Sequence, residues 1–314
     1  MLRPMRRVAK GVCGLLLLLA ALMALGVRLD RPAADVEARW AAPPSRFIEV
    51  DGLRVHYRDR GAGPALLLLH GSSSSLFTWE GWALELARDH RVVTVDLPGH
   101  GLTGPDARGR YRSVELAAFV DHFVAALGLA HFAIGGNSMG GGVAWRYALL
   151  HPERVDRLIL VDAAGQPRQE PRPFALRIFS SPALGHLARW ISPRFLVARS
   201  VRDVYGDPGR VTAARIDLYE DLLLRAGNRE ATRRRLGATA HEDDDGLWAR
   251  LGEIRTPTLI LWGSRDRWIL PKYAGRFAAA IAGSQLVMLD GLGHVPMEED
   301  PARSVAPVRA FLAR

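Results

Sequence analysis

The sequence predicts an α/β protein, a mostly parallel sheet with helices on both faces, broken once by a helical insertion. Three observations predict it. Short apolar runs ending in Gly, Ser, Asp or His recur along the chain, as at Ala65–His70, Arg91–Asp96 and Leu158–Asp162, and such runs suit strands buried on both faces. Helical stretches separate them, and strands alternating with helices imply parallel pairing through right-handed crossovers. Residues 167–248 show no strand pattern, after which it returns at Thr258–Trp262.

The elements follow in order. Phe47–Val50 and Arg54–Arg58 flank Asp51-Gly52, a hairpin turn signal. Ala65–His70 is a strand, Thr78–Arg88 a helix and Arg91–Asp96 a strand closed by Leu97-Pro98-Gly99. Ser113–Leu127 reads as a helix with Ser113 as its N-cap and Gly128 as its stop. His131–Gly135 is the next strand, Met139–Leu150 the next helix, and Leu158–Asp162 another strand. The insertion holds Pro-punctuated helical pieces around Phe174–Ser181, Leu184–Trp190, Phe195–Tyr205, Val211–Ala226 and Arg229–Ala238. Thr258–Trp262 and Gln285–Leu289 are strands, and Tyr273–Ala282 and Ser304–Leu312 helices. The expected division is a segment 1–30, a spacer 31–46, a core in two parts, 47–166 and 249–314, and a helical cap, 167–248. A cap above the carboxyl ends of the strands covers the place where such sheets bind ligands.

Composition is that of a globular protein, 48% hydrophobic and 24% charged, with a formal charge of +9. The positive charge is almost all Arg, dispersed among acids, and no nucleic-acid recognition motif accompanies it; nucleic acid is not an expected partner. The one cysteine, Cys13, excludes a disulfide within a single chain, and no metal-type Cys or His spacing occurs. At the N-terminus Arg3, Arg6, Arg7 and Lys10 precede an uncharged run from Gly11 to Val27. That run is at the lower limit for a bilayer-spanning helix. It implies a membrane partner through residues 11–27, with the basic flank on the cytoplasmic side and the catalytic domain on the outer side. A cleaved signal, with Ala24-Leu25-Gly26 at the cleavage site, leaves a secreted protein instead.

The sharpest local signal is Gly136-Asn137-Ser138-Met139-Gly140, a G-x-S-x-G run between an expected strand and an expected helix. A tight strand-to-helix turn projects its central side chain above the sheet, and small flanking residues let the backbone turn without clash. Ser138 is therefore the candidate nucleophile. The helix N-terminus beneath it favours developing negative charge.

Taken with this run, His70-Gly71-Ser72, Asp96-Leu97-Pro98-Gly99-His100-Gly101, Gly263-Ser264-Arg265-Asp266 and Gly293-His294-Val295-Pro296 resemble, in this order, the α/β-hydrolase superfamily, over about residues 47–314. The resemblance implies an eight-stranded α/β-hydrolase fold with a helical cap. It implies His294, in the loop after the last strand, as the base, and Asp266, after strand Thr258–Trp262, as the acid that fixes the imidazole. Asp162, at the end of the preceding strand, is the rival acid. Ser needs such a base, and the order Ser, Asp, His is the one this fold uses. The oxyanion hole is then the backbone N–H of Met139, directly after the nucleophile, and that of Ser72. His70 braces its loop, and Asp96 and His100 order the neighbouring one.

The chemistry expected is acyl transfer to water without metal or organic cofactor, on a small carboxylic ester with an apolar acyl group. Carbon–carbon bond hydrolases of aromatic degradation share the GNSMGG-like elbow, and cofactor-free perhydrolases share the triad; both are alternatives. The carbon–carbon enzymes tend to carry Trp after the catalytic His and a Gly-Pro-Gly oxyanion loop. This chain has Val295 and Ser73-Ser74-Ser75 at those places. A ligand-binding receptor on the same fold is the non-enzymatic alternative.

Overall fold

A computed structural model describes residue 14 and residues 26–167, 181, 184–188, 190–238 and 246–314. One eight-stranded sheet runs in the order β1-β2-β4-β3-β5-β6-β7-β8. The strands are β1 (Ser45–Val50), β2 (Leu53–Arg60), β3 (Ala65–Leu69), β4 (Arg91–Val95), β5 (Phe132–Asn137), β6 (Val155–Val161), β7 (Thr258–Gly263) and β8 (Gln285–Leu289). β2 is antiparallel to both β1 and β4, and the other pairings are parallel. The first hairpin turns at Asp51 and Gly52, both with positive φ (55° and 78°), as a two-residue turn between twisted strands requires.

The apolar runs are explained by burial on two sides. In β3, Leu67 and Leu69 join one core cluster with Phe123 and Trp145. Leu66 and Leu68 join the opposite one with Trp79 and Phe311. Successive side chains of a strand point to opposite faces, so a strand covered twice has no polar position to spare. Helices Ser113–Ala126, Met139–Leu150 and Lys272–Ala280 supply residues to the first cluster. Helices Glu80–Leu86 and Pro301–Leu312 supply the second.

Two local expectations differ in detail. The helix expected over Thr78–Arg88 is a 3-10 turn, Leu76–Trp79, followed by an α-helix, Glu80–Leu86. Ser113 is the first helical residue rather than the cap: Arg112 is extended there, and the Glu115 carboxylate accepts its N–H at 2.9 Å. The backbone bond to a side chain one turn ahead fixes the start one residue earlier.

Between β6 and β7 the described residues form helices Leu184–Ala188, Arg194–Asp203, Ala213–Leu224 and Asn228–Ala238, and no strand. The piece expected at Phe174–Ser181 lies outside the described residues, Ser181 apart. The inserted helices are tied to the stretch ahead of β1. Asp221, 2% exposed, accepts from Arg39 at 2.6 Å and from Trp40 Nε1 at 2.9 Å, and pairs with Arg31. Trp40 and Arg39 belong to a helix, Ala33–Trp40.

The membrane-spanning expectation is overturned. Among the described residues no helix is long and apolar enough to cross a membrane. The longest, Ser113–Ala126, has 14 residues, about 21 Å at ~1.5 Å per residue, short of the ~30 Å of a hydrocarbon core. Of residues 11–27 only 14, 26 and 27 are described. The outer-side location rested on that span and is withdrawn, while residues 11–27 themselves lie almost wholly outside the described residues.

Candidate active site

The strand register brings the candidate residues together. β3 lies between β4 and β5, so consecutive crossovers leave it in opposite directions, and a crevice opens at the carboxyl ends there. Leu69 pairs with Gly136, which sets the His70-Gly71-Ser72 loop beside the Asn137-Ser138 turn. Asn137 pairs with Val161 and Val161 with Leu261. Gly263 pairs with Leu289. The segments carrying Ser72, Ser138, Asp162, Asp266 and His294 therefore leave five adjacent strands at one edge.

Ser138 has φ 52° and ψ −117°, a conformation that costs a non-glycine residue of order 1–3 kcal/mol. The surroundings hold it. Its N–H donates to Val161 O at 3.0 Å, and its carbonyl accepts from Gly142 and Ala164 at 3.0 and 2.9 Å. A Cβ on Gly136 would be driven into the Gly140 carbonyl, and one on Gly140 into Leu69 O. Both glycines are thus required by close backbone approach. Gly71 lies so near the elbow that a Cβ there would come within 3.2 Å of Ser138 Cβ. The Met139 amide is the first N–H of its helix, where no carbonyl a turn behind accepts it.

His294 is 5% exposed and Asp266 3%. His294 Nδ1 donates to Asp266 Oδ2 at 2.7 Å. Asp266 Oδ1 accepts from the amides of Trp268 and Ile269 at 2.7 and 3.0 Å. The Trp268 ring stacks on the imidazole, with centroids 6.2 Å apart and planes at 19°. The backbone of His294 is fixed on both sides. Its N–H donates to Val204 O at 2.7 Å, and its carbonyl accepts from Asn137 Nδ2 at 2.9 Å. The first bond reaches the inserted segment, the second the elbow.

Asp162 stands beside this pair. It is fully buried, with φ 46°. Burial, and then the neighbouring Asp266 carboxylate, push its carboxyl well above the usual range. Ligand atoms of Asp162, Asp266 and His294 lie within 4.8 Å of one another, a spacing that could hold a cation. His294 Nδ1 and Asp266 Oδ2 are already bonded to each other, however, so an ion would have to break that bond first.

His70 and His100 have structural surroundings. His70 Nδ1 donates to Gly71 O at 2.7 Å and its Nε2 accepts from Leu97 N at 3.0 Å. Asp96 accepts from His56 Nδ1, Leu76 N and Leu102 N at 2.7, 2.7 and 2.8 Å. Burial holds both His70 and His100 below the usual histidine range, His100 well below. A recess beside the Ser72 loop is lined by Ser73, Ser74, His100, Leu222, Asn228 and Thr232 among others. Two of its buried acceptors, His100 Nε2 and Asn228 Oδ1, have no partner among the described residues.

Sequence reasoning missed Glu298 and Glu299. Glu299 accepts the amides of Gly206 and Gly293 on Oε2, at 2.9 and 2.8 Å, and that of Asp207 on Oε1 at 2.7 Å. Their place just after His294 was the only available signal.

Comparison with known proteins bears on the fold. A family model described as α/β hydrolase fold matches residues 64–301. The 2-hydroxymuconate semialdehyde hydrolase of Pseudomonas sp. (strain CF600) is 32% identical over 85% of this chain and 93% of its own. The 2-hydroxy-6-oxononadienedioate/2-hydroxy-6-oxononatrienedioate hydrolase of Cupriavidus pinatubonensis is 30% identical over 83% and 92%. A thermophilic esterase from Thermogutta terrifontis superposes with a TM-score of 0.73 at 25% identity, over 86% of this chain and 98% of that one.

Proposed function

Since the chain belongs to the α/β-hydrolase family, we propose that it is a serine hydrolase that breaks a carbon–carbon bond beside a carbonyl, in a conjugated hydroxy–oxo acid. The observation that carries this reading is the likeness to two hydrolases named for such acids, over more than nine-tenths of each relative's length. The compounds in those names contain no ester or amide, so their hydrolysis must break carbon–carbon bonds. The elbow Gly136-Asn137-Ser138-Met139-Gly140-Gly141 fits the same branch.

In this mechanism Ser138 Oγ attacks the substrate carbonyl while His294 Nε2 takes its proton. Asp266 keeps the other proton on Nδ1 and stabilises the imidazolium. The Ser72 and Met139 amides receive the oxyanion, each worth about 3 kcal/mol at a comparable site. The C–C bond then breaks. For its electron pair to delocalise, the substrate reacts as its 2-oxo tautomer, in which the carbon beside the scissile bond is saturated; the pair then becomes a dienolate, and His294 returns the proton to the dienolate oxygen. Water, activated by His294, releases the acyl group from Ser138.

Carboxylic ester hydrolysis is the second reading. It is favoured by Val295 after His294, by Ser73-Ser74-Ser75 in the oxyanion loop, and by the likeness to the esterase. The test is turnover of 2-hydroxymuconate semialdehyde and of nitrophenyl esters by the full chain and by Ser138→Ala. Loss of the substrate's absorption with the full chain but not with Ser138→Ala supports the first reading. Ester turnover alone transfers the assignment to the second. Equal turnover by both proteins sinks the serine mechanism.

A further inference from the structure

A second carboxyl, Asp162, lies beside the candidate acid Asp266, and the two have unequal support. Asp266 holds three donors: His294 Nδ1 on Oδ2, and the Trp268 and Ile269 amides on Oδ1. Asp162 holds one, the Gly263 amide on Oδ1 at 2.9 Å, and its Oδ2 is buried without a partner. Both side chains are fully buried or nearly so. Two adjoining carboxylates cannot both stay ionised in such a site, and the one with fewer donors takes the proton. A carboxyl that carries a proton can donate where a carboxylate cannot.

We propose that Asp162 is a neutral positioning residue, whose Oδ2–H donates a hydrogen bond to the Asp266 carboxylate and holds it on His294. This rests on the reading of Asp266 and His294 as the acid and base of the reaction. The proton on Oδ2 gives the orphaned atom its partner. The Gly263 amide, on β7, anchors Oδ1 on the strand that leads to Asp266. The positive φ at Asp162 marks a backbone held in a costly conformation at that spot. Donation into Asp266 also draws off some of the negative charge that faces the imidazole, so its loss should show in the pH–rate profile. The charged or titratable groups facing Asp162 are Asp266 after β7, His294 after β8 and Glu299 beyond it.

Asparagine matches aspartic acid in shape, can donate through its amide and cannot ionise. Asp162→Asn should therefore keep kcat within about threefold of the wild type and leave the acid limb of the pH–rate profile in place. Asp162→Ala should lose roughly tenfold or more in kcat and move that limb to higher pH. Asp266→Asn, which presents the wrong group to His294, should lose on the order of 10⁴-fold. If Asp162→Asn falls as far as Asp266→Asn, Asp162 is the ionised acid and the proposal is overturned. If Asp162→Ala retains both rate and profile, Asp162 positions nothing and the proposal is likewise overturned. A second measurement needs no turnover. The infrared carbonyl band of a buried protonated carboxyl should be present at neutral pH and absent in Asp162→Asn. If the band is absent from the wild type, Asp162 is ionised and the inference fails. Turnover surviving in Ser138→Ala, with the band present, would sink the serine mechanism and leave the protonated pair standing.

Discussion

The hydroxyl of Tyr219 donates to Oε1 of Glu298 at 2.7 Å. It therefore joins an inserted helix to the short helix Pro296–Glu299 that follows His294. The same phenolic oxygen lies 3.2 Å from Ser74 Oγ, two residues past Ser72. Because the phenol proton is engaged by Glu298, the serine hydroxyl is the donor in that second contact. Glu298 is fully buried at its side chain and takes a second phenol, that of Tyr205, on Oε2 at 2.8 Å. Arg215 stands 3.5 Å from the same oxygen. One oxygen of the insertion thus touches both the candidate oxyanion loop and the helix that follows the candidate base.

Removing that oxygen tests the link. Tyr219→Phe keeps the ring and leaves Glu298 short of a donor. A hydrogen bond to a buried charged group contributes about 1.5–3 kcal/mol. The variant should unfold at lower denaturant by about that amount, and its kcat should fall roughly tenfold, equivalent to about 1.4 kcal/mol of barrier. Unchanged kcat with lowered stability would reduce the bridge to packing.

Glu299 gives a second prediction of the same kind. Its carboxylate gathers three backbone amides from two segments that cross in contact. A Cβ on Gly206 would collide with the Gly291 carbonyl, and one on Gly293 with Gly206 N. Glu299→Gln would turn an NH₂ group toward amide donors, leaving at least one buried N–H unpaired at a cost of about 1–3 kcal/mol. The expected result is a lower unfolding midpoint together with faster proteolysis between residues 204 and 212. Wild-type proteolysis at equal midpoint would show that the backbone crossing holds without the carboxylate.

The two glutamates also mark the limit of what could be read in the sequence. The strand and helix pattern was legible because its causes are local. The run Leu66–Leu69 is apolar throughout since both its faces are covered. The elbow was legible since Gly136 and Gly140 are needed only where backbones nearly touch. Long-range partners leave no such mark. Nothing in the sequence of the insertion says that Tyr219 meets Glu298, or that Asp221 meets Trp40. Asp162 was read as a competitor of Asp266. The register Val161↔Leu261 places the two acids just past the ends of adjoining strands. The apolar run 11–27 was read as a membrane span from its length and basic flank, and all of it but residues 14, 26 and 27 lies outside the described residues.

Acid lability follows from the histidines that order the loops around the site. His70 and His100 are fully buried or nearly so, and their rings meet edge to face with centroids 4.9 Å apart. Burial lowers both; for His100, repulsion from Arg235 and His70 adds to it. The unfolded chain takes up these protons near the ordinary value of 6.5, whereas the folded protein resists. Stability is therefore present above about pH 6.5 and is lost as pH falls toward the depressed folded values, at up to about 1.4 kcal/mol per pH unit for each histidine. His100, the more strongly depressed, should carry the loss over the wider pH range. Thermal unfolding between pH 7.5 and 5 should show a falling midpoint, and His100→Gln, which cannot protonate, should flatten that fall. An equal slope in the variant would mean that His100 is not the group that resists the proton.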